Sequence, residues 1–82
     1  MPPAQLIEMT YELAILACRR EDADQSVRAI LLLRDAMRSI GSGDSGDLLR
    51  FYDLCRDRIR EGDFQIAALT LSTLRDAWEK VN

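Results

Sequence analysis

The chain has 82 residues, 11 basic and 14 acidic, with a formal net charge of −3 and no histidine. Hydrophobic residues make up 48% and charged residues 30%, so the composition excludes a disordered chain and allows one domain, taken as residues 1–82. The acidic balance argues against nucleic acid, which selects clustered basic charge. The missing histidine removes the commonest general base and metal ligand.

Segment one runs from Ala4 to Arg20. Pro2-Pro3 precedes it, and proline is tolerated in the first turn of a helix. Leu6, Met9, Leu13, Leu16 and Ala17 recur at helical spacing, and Ile7, Tyr11, Ala14 and Cys18 form a second, adjacent stripe. Together they cover more than half the circumference. One stripe suffices for a surface helix, so segment one is either central in a bundle or covered by a partner. Glu8 and Glu12 lie one turn apart. Without a Glu-x-x-His element they read as exposed glutamates, not a metal-binding pair.

Segment two runs from Ser26 to Ile40 after a polar stretch, Glu21 to Gln25, in which Asp22 or Asp24 can cap it. Ala29, Ile30, Leu33, Ala36, Met37 and Ile40 form its main stripe. Val27, Leu31 and Leu32 widen it, and Arg28, Arg34, Asp35 and Arg38 face solvent. Gly41 to Gly46 is a loop. Gly41 suits the end of the second helix, and Asp44 or Ser45 the start of the third. No Lys-Ser or Lys-Thr follows these glycines and no strand pattern precedes them, so they do not form a phosphate loop.

Segment three runs from Leu48 to Glu61, with Leu48, Phe51, Tyr52, Cys55 and Ile59 on one face. Arg56 and Arg60, flanked by Asp53 and Asp57, read as a solvated, salt-paired face. Gly62 ends the helix and Asp63 caps segment four, Phe64 to Val81. Its apolar positions include Phe64, Ala67, Ala68, Leu71, Leu74, Ala77, Trp78 and Val81. Short connections make successive helices antiparallel, so the expected fold is all-α, an up-down antiparallel four-helix bundle. The chain reads as free of internal repeats.

Cys18 and Cys55 are expected as buried free thiols. They have no CxxC partner and no imidazole base, so neither zinc binding nor thiol catalysis is expected. The expectation is a protein that is not an enzyme, with no metal site and no cofactor. No basic leader is seen at Met1-Pro2-Pro3, and no apolar run approaches the roughly 20 residues of a membrane span. The expected compartment is the cytoplasm, without membrane insertion.

The order of motifs resembles the flagellin-specific export chaperones of the bacterial flagellar secretion system. Pro3-Ala4-Gln5-Leu6-Ile7-Glu8-Met9-Thr10-Tyr11 is similar to the family's Ser-Pro-x-x-Leu-Ile-x-x-Leu-Tyr opening. Arg28 to Met37 is similar to the helix before its glycine loop. Leu48-Leu49-Arg50-Phe51-Tyr52-Asp53-Leu54 and Leu74-Arg75-Asp76-Ala77-Trp78 match the aromatic helix and the Leu-Arg-x-Ala-Trp ending. The opening serine is Pro2 here, and the third connection shrinks to Gly62-Asp63. The resemblance implies a chaperone of protein secretion and flagellum biogenesis. Its client is an amphipathic, aggregation-prone segment of a secreted protein, the flagellin C-terminal region, kept from premature assembly. Ile7, Tyr11, Leu31, Leu32, Leu48 and Tyr52 are the expected client contacts, being off the densest stripes or amphipathic aromatics. Phe51 and Trp78 are assigned to the core. The alternative is a homo-oligomerisation or adaptor module, in which the surplus apolar residues pack a homodimer.

Overall fold

A computed structural model describes residues 3–40 and 45–81. Four helices account for nearly all of them: α1 (Pro3–Arg19), α2 (Ala23–Ile40), α3 (Ser45–Arg60) and α4 (Phe64–Val81). Among the described residues there is no strand. Each helix packs on its two neighbours in the ring α1–α2–α3–α4, with the α1–α2 contact the most extensive. This is the expected antiparallel four-helix bundle. Gly41 and Asp44 lie outside the described residues.

The turns at one end of the bundle are alike. After α1, the Glu21 N–H bonds the Cys18 carbonyl and the Asp22 N–H bonds the Ala17 carbonyl, both at 3.0 Å. After α3, the Gly62 N–H bonds the Ile59 carbonyl at 3.0 Å and the Asp63 N–H bonds the Arg58 carbonyl at 2.8 Å. Both are Schellman motifs, which need a left-handed residue after the helix. Gly62 supplies it with φ 82°, and Glu21, unusually for a non-glycine, with φ 55°. The next residue caps the following helix: Asp22 Oδ1 accepts from the Gln25 N–H at 3.1 Å, and Asp63 Oδ1 from the Ile66 N–H at 3.2 Å. Capping by Asp22 starts α2 at Ala23, three residues before the expected Ser26. Its first turn, Ala23-Asp24-Gln25, carries no apolar stripe, so hydrophobic periodicity missed it.

The likeness extends through the molecule. Tyr11 and Tyr52, 41 residues apart, meet with hydroxyl oxygens 2.6 Å apart and rings edge to face. Arg34 on α2 pairs with Asp53 on α3 at 3.7 Å, and Arg75 on α4 pairs with Glu12 on α1 at 2.8 Å. Shifting the numbering by 41 turns each pair into the other, with Asp53 exchanged for Glu12. Reciprocal contacts, and a residue that meets its own counterpart, define a two-fold relation. The hairpins α1–α2 and α3–α4 are therefore pseudo-equivalent. The expectation of no internal repeat is corrected: Leu33-Arg34-Asp35-Ala36 returns as Leu74-Arg75-Asp76-Ala77 at the same offset. Matching between the halves is sparse elsewhere, which hides the repeat from a linear reading.

The core follows the same relation. Ile7, Tyr11, Ala14, Ile15 and Cys18 of α1 and Tyr52, Cys55 and Ile59 of α3 are buried with Ala29, Ile30, Leu33 and Met37 of α2 and Ala67 and Leu71 of α4; Ile15 departs from the relation, its counterpart being Arg56. Leu48, Leu74 and Trp78 are partly buried against this cluster. Ser26 and Thr10 are buried polar residues. Their hydroxyls donate back to the Asp22 and Leu6 carbonyls at 2.6 and 2.8 Å, so neither is left unpaired.

Candidate protein-binding surface

The two apolar stripes of α1 separate except at Ala17, which belongs to the first stripe but is buried. Ile7, Tyr11, Ala14 and Cys18 face the core, while Leu6, Met9, Leu13 and Leu16 lie on the opposite side and are exposed. Leu13, the most open of them, keeps 57% of its surface in solvent. These four positions alternate in steps of three and four, the spacing with which one helix packs along another. Across the α1–α2 groove, Leu32 is 59% exposed. It lines a cleft with Leu13, Leu16, Ala17 and Ala29. Arg20 and Arg28 stand at the rim of that cleft, with Asp22 beside them. At the far end of α1, Leu6 joins Ala36, Ile40 and Trp78 around a second depression.

The pseudo-symmetry provides an internal control. The positions of α3 equivalent to Leu6, Met9, Leu13 and Leu16 are Asp47, Arg50, Leu54 and Asp57. Those equivalent to Leu31 and Leu32 on α4 are Ser72 and Thr73. The bundle therefore closes with charged or hydroxyl residues at most of these places, and packing does not require the leucines of the first half. Some apolar exposure also remains in the second half, at Phe51, Leu54, Ile66 and Leu69.

The expected contact residues divide. Ile7, Tyr11 and Tyr52 are fully buried, so as partner contacts they are corrected: their side chains form the centre of the core. Tyr11 and Tyr52 satisfy each other's hydroxyls, and that mutual bond removes the need for an edge position. Leu48 is partly buried and packs against the core. Leu31 and Leu32 are exposed on α2. Phe51, assigned to the core from sequence, lies nearly half exposed on α3, while Trp78 packs against the core as expected. Leu6, Met9, Leu13 and Leu16 were missed as a surface. The signal was present in their three-four spacing, and in the charged residues that replace three of them one repeat later.

Electrostatics around the buried pair favour neutral groups. Burial raises the Tyr11 and Tyr52 hydroxyls above their usual range. Burial also raises the Cys18 thiol, and together with the nearby Cys18 it pushes the Cys55 thiol up to about 12. Both cysteines are free and buried, and burial favours the protonated thiol over the nucleophilic thiolate. Among the described residues, no group of three His, Cys, Asp or Glu side chains could hold a metal ion. No helix among them is long and apolar enough to cross a membrane. Comparison with protein-family models, with curated proteins and with solved structures finds no match.

Proposed function

We propose that the protein acts by binding rather than catalysis, as an export chaperone that receives an amphipathic helix of a secreted client along the outer face of α1. The supporting observation is the exposed strip Leu6, Met9, Leu13 and Leu16, bordered by Leu32, at positions where the second half of the same bundle carries Asp47, Arg50 and Asp57. Covering such a strip removes apolar surface from water at about 25 cal/mol per Å², and part of that gain offsets the entropy of ordering the client. Spacing in threes and fours suits a helical client, whose own apolar stripe would lie along it. Covering the strip of an assembly-prone segment in this way holds it apart from its own kind.

The client we propose, on the resemblance of the motif order, is the C-terminal region of a flagellin. Within this molecule the Leu-Arg-x-Ala string at Leu74–Ala77 also has a structural role, because Arg75 bridges to Glu12 and an equivalent string recurs at Leu33–Ala36. The client is therefore tested directly. Titration calorimetry with a flagellin C-terminal peptide should show binding with a negative heat-capacity change, the marker of apolar burial. Replacing Leu6 and Leu13 together by Ser should abolish it and leave the helical spectrum intact. Replacing Leu54, the exposed counterpart of Leu13 on α3, should leave it unchanged. Absence of binding by the parent chain rejects the flagellin client, and binding indifferent to the α1 changes rejects the strip as its site.

A further inference from the structure

The outer face of α2 has a pattern that complements itself. Arg28, Leu31, Leu32 and Asp35 are all exposed, and their spacing puts them on one side of the helix, away from the core residues Ala29, Ile30, Leu33 and Met37. The order along this face is cation, leucine, leucine, anion. An α2 helix laid antiparallel on another, with the two-fold axis between Leu31 and Leu32, sets each Arg28 opposite the partner's Asp35 and the four leucines against one another.

Among the described residues, the side chains of Arg28 and Asp35 form no ion pair within their own chain; Asp35 contributes only its backbone carbonyl, to the Ser39 hydroxyl. The ion pairs among the described residues employ Arg34, Arg50, Arg56, Arg58 and Arg75 on the basic side, and Asp47, Asp53, Glu61, Glu12 and Asp76 on the acidic side. The equivalent face of α4 reads Leu69, Ser72, Thr73 and Asp76, and Asp76 is held by Arg75 at 3.2 Å. The self-complementary pattern is thus confined to α2 and is not demanded by the bundle. Leu32 also adjoins Leu13 and Leu16 across the α1–α2 cleft, which extends the apolar area beyond the α2 leucines.

We infer that the outer face of α2 binds a second copy of this chain in a symmetric, antiparallel pair closed by two Arg28–Asp35 bridges. A two-fold contact of this kind is self-limiting and gives a dimer, not a chain of copies. It shares Leu32 and the neighbouring edge of Leu13 and Leu16 with the proposed client strip, so a client and a second copy compete for that edge; its test contains no client and is read without one.

The test is a charge swap followed by sedimentation velocity over protein concentrations from about 1 to about 300 µM. The parent chain should dimerise. Arg28→Asp or Asp35→Arg alone places like charges face to face twice per dimer, and each should raise the dissociation constant by about tenfold or more. The double variant Arg28→Asp/Asp35→Arg restores both attractions and should recover parental affinity to within about threefold. An equimolar mixture of the two single variants should form a mixed dimer, since each supplies the charge the other lacks. Circular dichroism checks that all variants keep the fold, which these exposed positions permit. A parent chain that stays monomeric overturns the proposal. So does a dimer insensitive to either reversal, or a loss that the double variant fails to recover.

Discussion

Tyr11 and Tyr52 are 41 residues apart in sequence, yet their hydroxyl oxygens lie 2.6 Å apart in the centre of the bundle. They sit on α1 and α3, which face each other across the diagonal. Each ring fills core volume that the other leaves, and one hydroxyl donates to the other where no water competes. The pair ties the two helical hairpins together at the point where their pseudo-two-fold relation brings a residue onto its own counterpart.

Removing one hydroxyl strands the other. Tyr11→Phe or Tyr52→Phe should each destabilise the protein by about 1–3 kcal/mol, the cost of a buried polar group left unpaired. The double Phe variant should be no less stable than either single one, because it leaves no orphan. Urea unfolding of the four proteins, compared as a double-mutant cycle, measures this. Additive losses would show that the hydroxyls act separately.

The turn after α1 stores strain that the turn after α3 does not. Glu21 holds φ at 55° where Gly62 takes 82°. Glu21→Gly should therefore stabilise the protein by up to about 1 kcal/mol, the left-handed penalty less the added freedom of the unfolded chain. Gly62→Ala should cost a similar amount; no heavy atom lies near its added methyl group, so the effect is conformational. Asp22→Ala and Asp63→Ala should each cost about 1 kcal/mol through the lost helix cap. Thermal melts of these variants give the comparison.

Alkali should unfold the protein through its buried acids. The folded state raises the Cys55 thiol from its ordinary value of 9.0 to about 12, chiefly by burial, and raises Cys18, Tyr11 and Tyr52 in the same direction. A raised acid binds its proton more tightly when folded, so its contribution is complete below pH 9 and is lost as pH climbs through about 12. Stability should be level from neutrality to about pH 8 and then fall. Chemical denaturation at stepped pH tests the sign. A thiol reagent should modify neither cysteine of the native protein at pH 8 faster than the chain opens.

Trp78 packs against the core but is not enclosed by it. Trp78→Ala should cost about 2–3 kcal/mol, below the 3–5 typical of emptying a large buried aromatic site. Met37, its counterpart on α2, is fully buried, and Met37→Ala should cost about as much despite the smaller side chain. Equilibrium unfolding distinguishes these values from the larger loss expected of an enclosed indole.

Local chemistry made the four helices legible. The periodic apolar residues, Pro3 at the start, Gly62-Asp63 between the last two helices and the Asp22 cap are all short-range signals, and they determined helix number, order and most boundaries. Which side of α1 faces inward was decided only by tertiary structure. Leu6, Met9, Leu13 and Leu16 are as apolar as Ile7, Tyr11, Ala14 and Cys18, so hydrophobicity does not choose between the stripes. The choice lies in what the opposite helices offer. Tyr52 supplies the hydroxyl that Tyr11 needs, and Ala14 and Cys18 are small enough for close helix approach, whereas four long side chains in the same place would hold the helices apart. Those are properties of pairs of surfaces, and only the assembled bundle brings the members of each pair together.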